Sequence, residues 1–235
     1  MTGSTSASVI GSDDRNVVPP ASASHWRRIC SLEIDTGRGP FRGTGWFAGP
    51  RTIVTAGHCV YRRQAFGGWA RQIRVFPGRT QQQSPYGPYL STRFSCADGW
   101  LAGERVDADV GAIYLDALVD PAIGSYAYSV ADPRTLTDAD VVISGYPEFG
   151  DRFDNLLSAL GRVRAVFTRR LFYDTDTSVG QSGAPVWLAS DTPSEPVVIA
   201  IHTSDEEATP SGLPESNSGT LITQTVADLI RDWVS

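Results

Sequence analysis

The sequence predicts an all-β protein, built as barrels or a sandwich and closed by a single C-terminal helix. Three observations carry this reading. Short runs rich in Val, Ile, Phe, Tyr and Thr recur along the chain, each broken off by Gly, Pro or Asp. These runs follow one another without the helical stretches that βαβ units need between strands. Only one segment, residues 223–235, repeats its apolar side chains at the helical period.

Taken in chain order, residues 1 to about 25 are polar and rich in Ser, Pro and Asp, and read as a surface arm. The β-like runs then fall into two groups of six. The first comprises 29–34, 43–48, 52–55, 72–76, 91–95 and 110–115, within a unit spanning 26–120. The second comprises 140–144, 160–167, 171–174, 185–188, 197–201 and 219–222, within a unit spanning 121–235. In the final segment Val226, Leu229, Ile230, Trp233 and Val234 lie at i, i+3, i+4, i+7 and i+8, one face of an amphipathic helix. That stripe is expected to pack on the second barrel.

Composition narrows the chemistry. The 235 residues carry a net charge of −6, which offers no electrostatic attraction to nucleic acid or an anionic membrane. Every basic side chain other than histidine is Arg, so a Ser–Lys dyad, a Schiff-base lysine and a P-loop are all excluded. Cys30, Cys59 and Cys96 are odd in number and lack the close spacing of a zinc site; they read as buried or incidental thiols, with a Cys30–Cys59 bridge as the alternative. No metal or cofactor is expected. No apolar run is long enough to span a membrane, and residues 1–7 lack the charged and apolar regions of a secretory signal. The expectation is secretion if an export signal has been removed, and a cytoplasmic location otherwise.

Three segments carry chemistry. In residues 177–185, TSVGQSGAP, glycines flank Ser182 and let the backbone curl so that a hydroxyl is exposed beside free N–H groups. Alone, this stretch reads equally well as an ordinary Gly/Ser turn. In residues 53–60, IVTAGHCV, a β run ends in small residues and then His58, where an imidazole on a rigid support would serve as a base. The chain holds only two other histidines, His25 and His202. In residues 107–115, DADVGAIYL, a polar loop enters an apolar strand directly after Asp109, which is preferred over Asp107 as the carboxylate that orients the imidazole. The order His, Asp, Ser differs from that of subtilisin and the α/β-hydrolases.

These blocks, TAGHC, DVGAI and GQSGAP, resemble the signature segments of chymotrypsin-like serine proteases. Within that superfamily the chain is most similar to the bacterial glutamyl endopeptidases, from about Ser8 to the C-terminal helix. SVIGSDDR at 8–15, Gly45-Trp46 with Gly49-Pro50, ISGYP at 143–147 and Asp176-Thr177 carry the likeness. The resemblance implies two six-stranded antiparallel barrels with the active site in the cleft between them, and a polypeptide substrate. It implies an oxyanion hole from the N–H groups of Gly180 and Ser182, and a pocket in which His202 and Thr177 recognise a glutamate side chain. It also implies a mature N-terminus at Ser8, with residues 1–7 as a candidate pro-segment.

The chain departs from the family in four places. The disulfide partner usual for Cys59 is absent, with Gly43 near its place. Asp205, Glu206 and Glu207 follow His202 where relatives carry small residues, and Asp205 is expected at the pocket. Seven residues precede Ser8. Gln181 stands where trypsin-like zymogens place an Asp, so an N-terminal ammonium has no carboxylate there to engage. Two alternatives stand beside the glutamyl reading: the same catalysis with another specificity, and a protease-like binding module without catalysis.

Overall fold

Strand alternation explains how this chain divides its apolar side chains. In the computed structural model, which describes residues 9–10, 12–19, 25–81, 83–148, 154–190, 195–204 and 210–235, strand β1 (Ile29–Asp35) sends Cys30, Leu32 and Ile34 into one core. Its neighbour Ile29 faces a second apolar layer. The same switch recurs in β2 (Pro40–Gly49), where Phe47 joins the first core and Trp46 and Ala48 the second layer. It recurs again in β3 (Thr52–Thr55), with Ile53 and Val54. A period of two places neighbouring side chains on opposite faces of a strand, so these strands have a barrel interior on one side and a packed interface on the other.

The first sheet adds β4 (Gln72–Pro77), β5 (Tyr89–Ser91), β6 (Arg93–Cys96) and β7 (Gly111–Tyr114). Its order is β5-β4-β1-β2-β3-β7-β6. Only Thr92 separates β5 from β6, so one bent segment pairs with β4 at its start and β7 at its end and nearly closes the barrel. Between strands lie two short helices, α1 (Gly57–Val60) and α2 (Asp98–Gly103).

The second sheet consists of β8 (Asp140–Gly145), β9 (Leu157–Val166), β10 (Arg170–Tyr173), β11 (Pro185–Leu188), β12 (Val197–Ser204) and β13 (Asn217–Leu221). They run β9-β8-β11-β12-β13-β10, and β10 pairs back onto β9, so the six strands form a closed barrel. Closure leaves no long unpaired edge. Asn16–Val17 adds a short strand against β9, and Ala127–Tyr128 pairs in parallel with β12. The fold is the chymotrypsin-like two-barrel arrangement.

The C-terminal helix α3 (Gln224–Val234) is capped by the Thr223 hydroxyl, which accepts from the Val226 N–H. Its packing differs from the expectation. Val226 and Ile230 are buried in the layer between the barrels, and the last turn lies on the first barrel. There the Thr52 hydroxyl donates to the Trp233 carbonyl at 3.0 Å. A Cβ added at Gly49 would stand 2.6 Å from Val234, so β2 and the helix touch with no room for a side chain. Both barrels contribute apolar side chains to this layer, Ile29, Trp46 and Val54 from the first and Trp187, Val198 and Ile201 from the second, and the stripe packs into it.

Candidate active site

α1 begins where β3 ends, and the short helix fixes His58 at 5% exposure. Asp109 lies just before β7, which pairs with β3 in register. That pairing brings two residues 51 positions apart side by side. The Asp109 carboxylate takes the His58 backbone N–H on Oδ1 at 2.8 Å and lies 2.7 Å from His58 Nδ1 through Oδ2. Gly57 makes room for this contact: a Cβ there would lie 2.9 Å from the Trp100 ring and 3.0 Å from Asp109 Oδ1. Trp100 of α2 donates its indole N–H to the Tyr61 carbonyl and shields His58, with ring centroids 6.2 Å apart. Burial lowers the His58 pKa, but the charge of Asp109 and its hydrogen bond outweigh this and raise it above the ordinary imidazole value. Asp107 sits apart, paired with Arg105 at the surface.

Ser182 occupies a turn between two glycines with left-handed backbones, Gly180 at φ +97° and Gly183 at φ +89°. A Cβ at Gly183 would stand 2.1 Å from the Thr44 carbonyl oxygen, so the two barrels meet here backbone to backbone. The Ser182 carbonyl accepts from the Thr44 N–H at 2.8 Å and lies 3.6 Å from Cys59 Sγ, which follows His58. Ser182 therefore lies against α1. Among the described residues the N–H groups of Gly180 and Ser182 have no acceptor.

Thr44 is a residue the sequence motifs do not single out. It is fully buried, and its hydroxyl donates to the Gly180 carbonyl at 2.8 Å while accepting from the Tyr146 N–H at 2.9 Å. Thr55 donates to its carbonyl at 2.7 Å. One residue on β2 thus ties the nucleophile turn and the end of β8 through its hydroxyl, and β3 through its backbone carbonyl.

His202 lies on β12 directly beside this turn: its carbonyl accepts from the Gly183 N–H at 2.7 Å and its N–H donates to the Ala184 carbonyl at 2.9 Å. Its Nδ1 is 2.8 Å from the Tyr173 hydroxyl. Burial, reinforced by the positive charges of His58 and Arg170, pulls its pKa down to about 3, against smaller opposite effects of the Ser218 backbone and Asp109. Burial thus holds the His202 ring in its neutral form. Its Nε2 and the Thr177 hydroxyl are both buried with no partner among the described residues. Asp205, Glu206 and Glu207 lie outside the described residues, as do Ser8 and the seven residues before it.

The remaining polar candidates have structural surroundings. His25 packs among Trp26, Tyr126 and Trp187. All three cysteines are free and buried. Among the described residues no cluster of three His, Cys, Asp or Glu side chains could hold a metal ion. No helix among them is long and apolar enough to cross a membrane.

Comparison with known proteins points the same way. Residues 43–192 match the family described as trypsin-like peptidase domain. The chain is 36% identical to a glutamyl endopeptidase of Bacillus licheniformis, across 96% of this chain and 69% of that protein. It is 32% identical, across 97% and 70%, to a Bacillus subtilis protein named extracellular metalloprotease. A solved structure of a Glu endopeptidase in complex with MPD superimposes with a TM-score of 0.82 at 23% identity, covering 96% of this chain and 99% of that one.

Proposed function

This chain belongs to the trypsin-like peptidase family, in the branch of the bacterial glutamyl endopeptidases, and on that premise we propose that it hydrolyses polypeptides after glutamate through Ser182, His58 and Asp109. Ser182 Oγ attacks the scissile carbonyl and His58 takes the proton, then returns it to the leaving amine. Asp109 holds the imidazole by Nδ1, so that Nε2 is the base, and stabilises the imidazolium that forms. The N–H groups of Gly180 and Ser182 bind the oxyanion. In this division the unit 26–120 contributes base and carboxylate, and the unit 121–235 the nucleophile. Against a non-catalytic binding module stands the buried, doubly hydrogen-bonded His58–Asp109 pair, which binding alone does not require.

One observation carries the glutamate preference: His202 Nε2 and Thr177 Oγ1 are buried beside the nucleophile turn without partners among the described residues. An unpaired buried polar atom is costly, and a carboxylate accepting from both would satisfy them. With the Tyr173 hydroxyl donating to Nδ1, a neutral His202 still presents Nε2–H to an anionic side chain. Asp205 is part of the proposal as the residue that tempers the preference, and Asp205→Gly should raise kcat/KM for a glutamyl substrate several-fold. Ser8 enters through its free amine, which would add positive charge near the pocket; a chain beginning at Ser8 should surpass one beginning at Met1 in kcat/KM. Equal values for the two forms would refute the last point. Export from the cell is proposed on the strength of the extracellular Bacillus subtilis relative.

A fluorophosphonate should label Ser182, and Ser182→Ala or His58→Ala should lower kcat by roughly four orders of magnitude or more. Cleavage-site profiling on a denatured proteome should place Glu before most cuts, with Asp second. Cuts chiefly after Arg, Phe or Leu would overturn the specificity and leave the triad standing.

A further inference from the structure

The arm that precedes the first barrel is built onto the second. Val18 is buried in the layer between the barrels and donates its N–H to the Leu156 carbonyl at 2.9 Å. Asn16 and Val17 pair with Ser158 and Leu157. This anchorage lays the preceding residues along the loop that leads into Ser182. At the start of the loop, the Asp176 carboxylate accepts from the Ile10 N–H at 2.7 Å and the Asp14 N–H at 3.0 Å. At its end, Arg15 Nη1 donates to Ser178 Oγ at 2.6 Å and to Gln181 Oε1 at 2.9 Å. The other edge of the guanidinium is held by Asp13, through Nε at 2.9 Å and Nη2 at 3.0 Å. Gln181 is 1% exposed, and its Oε1 also accepts from the Ser178 N–H at 3.0 Å.

We propose that Arg15 is a positioning residue for catalysis, holding the oxyanion-binding turn in its working conformation through Gln181. The physical need comes from Gly180. A glycine crosses between positive and negative φ at little cost, so the peptide groups around it rotate unless their neighbours are fixed. Thr44 fixes the Gly180 carbonyl from the first barrel. Gln181, the residue between the two proposed oxyanion donors, is fixed from the arm. Its neutral amide gives an N-terminal ammonium no charged anchor, whereas a guanidinium can donate to an amide oxygen and a hydroxyl together. The cation is an internal side chain, so this hold needs no free amine.

The proposal rests on the triad reading, and the experiment separates the two. Arg15→Met keeps the aliphatic stem and removes the donors; Gln181→Met removes the acceptor. Each should lower kcat about 10- to 100-fold, within the range of losing one oxyanion donor, with KM for a glutamyl peptide changed less than three-fold and Tm nearly unchanged. The rate of fluorophosphonate labelling should fall in parallel. The double variant should be no slower than the slower single variant, because both cut one connection. Should Arg15→Met fail to fold, Arg15→Lys, with a single donor group, is expected to give an intermediate kcat. An unaffected kcat in Arg15→Met, losses that multiply in the double variant, or a loss that follows a fall in Tm overturns the strut. A wild-type chain in which Ser182 is not labelled overturns the triad reading, and the strut with it.

Discussion

Gly43→Cys should create a disulfide with Cys59. Gly43 lies in β2, in extended strand backbone opposite Leu32, so a side chain meets no φ penalty. An ideal Cβ at this position falls 2.9 Å from Cys59 Sγ, with its next neighbours at 3.4 Å (Ile34 Cδ1) and 3.5 Å (the Ser182 carbonyl oxygen). An S–S bond near 2.05 Å sets each Cβ about 3 Å from the partner sulfur, so the bond can close with little movement of the backbone. Bridging 43 to 59 closes a loop of about 16 residues, for which the loss of unfolded-chain entropy is worth roughly 3 kcal/mol. In a chain of this size that corresponds to a rise in Tm of about 6–12 °C, abolished by reductant. The assay is thermal unfolding with and without reductant, alongside thiol titration in denaturant. The wild type should show its three free thiols and the oxidised variant two. Four titratable thiols after oxidation, or an oxidised form no more stable than the reduced one, would refute the reasoning.

Asp109→Asn should be severely impaired in kcat, because the amide favours the wrong imidazole tautomer, whereas Asp107→Asn, which loses pairings with Arg105 and Arg169 away from His58, should stay near wild type; the reverse result in steady-state kinetics would move the triad assignment. Tyr173→Phe removes the hydroxyl beside His202 Nδ1 and lets the ring present a bare Nε2 to the pocket. It should lower the Glu-to-Gln ratio of kcat/KM roughly ten-fold, on the scale of one hydrogen bond to a charged group, and an unchanged ratio would contradict the tautomer argument. His202, with its folded pKa at about 3, stays neutral while its unfolded counterpart takes up a proton below pH 6.5, so acidification favours unfolding. Between pH 6.5 and 5 this should cost the wild type about 2 kcal/mol. His58, whose pKa is raised, is protonated in both states over most of that window and adds little slope. Denaturant unfolding of wild type and His202→Gln should diverge accordingly, and parallel pH dependences would count against it.

Each of the twelve β-like runs falls on strand in the two barrels, some with matching bounds, such as Thr52–Thr55 and Pro185–Leu188. Their alternation or continuous apolar character reflects burial on one face or both, and that is a local property of the chain. The single 91–95 run is two strands, Tyr89–Ser91 and Arg93–Cys96, because the chain bends at Thr92 to serve two neighbours. The helices at Gly57–Val60 and Asp98–Gly103 gave no periodic signal, since four to six residues hold too few repeats of 3.6 to show one. The C-terminal helix was legible as an element and as an apolar stripe, but not in its choice of partner.

What the sequence determined by itself was the inventory: barrel strands, one amphipathic helix, and His58, Asp109 and Ser182 in motifs whose glycines and neighbouring strands announce their local geometry. Tertiary structure alone decided which of these groups share an environment. The 2.7 Å contact of His58 with Asp109 depends on the register of β3 against β7. Thr44 became the knot of the site because β2 and the Ser182 turn meet backbone to backbone. Arg15 reached Gln181 because Val18 is sunk between the barrels. The neutrality of His202 follows from the depth of its burial and the cations packed near it. A strand or a turn is dictated by neighbours in the chain. A pKa, a hydrogen-bond partner or an unsatisfied polar atom is set by neighbours in space, and those came from segments up to 181 residues apart.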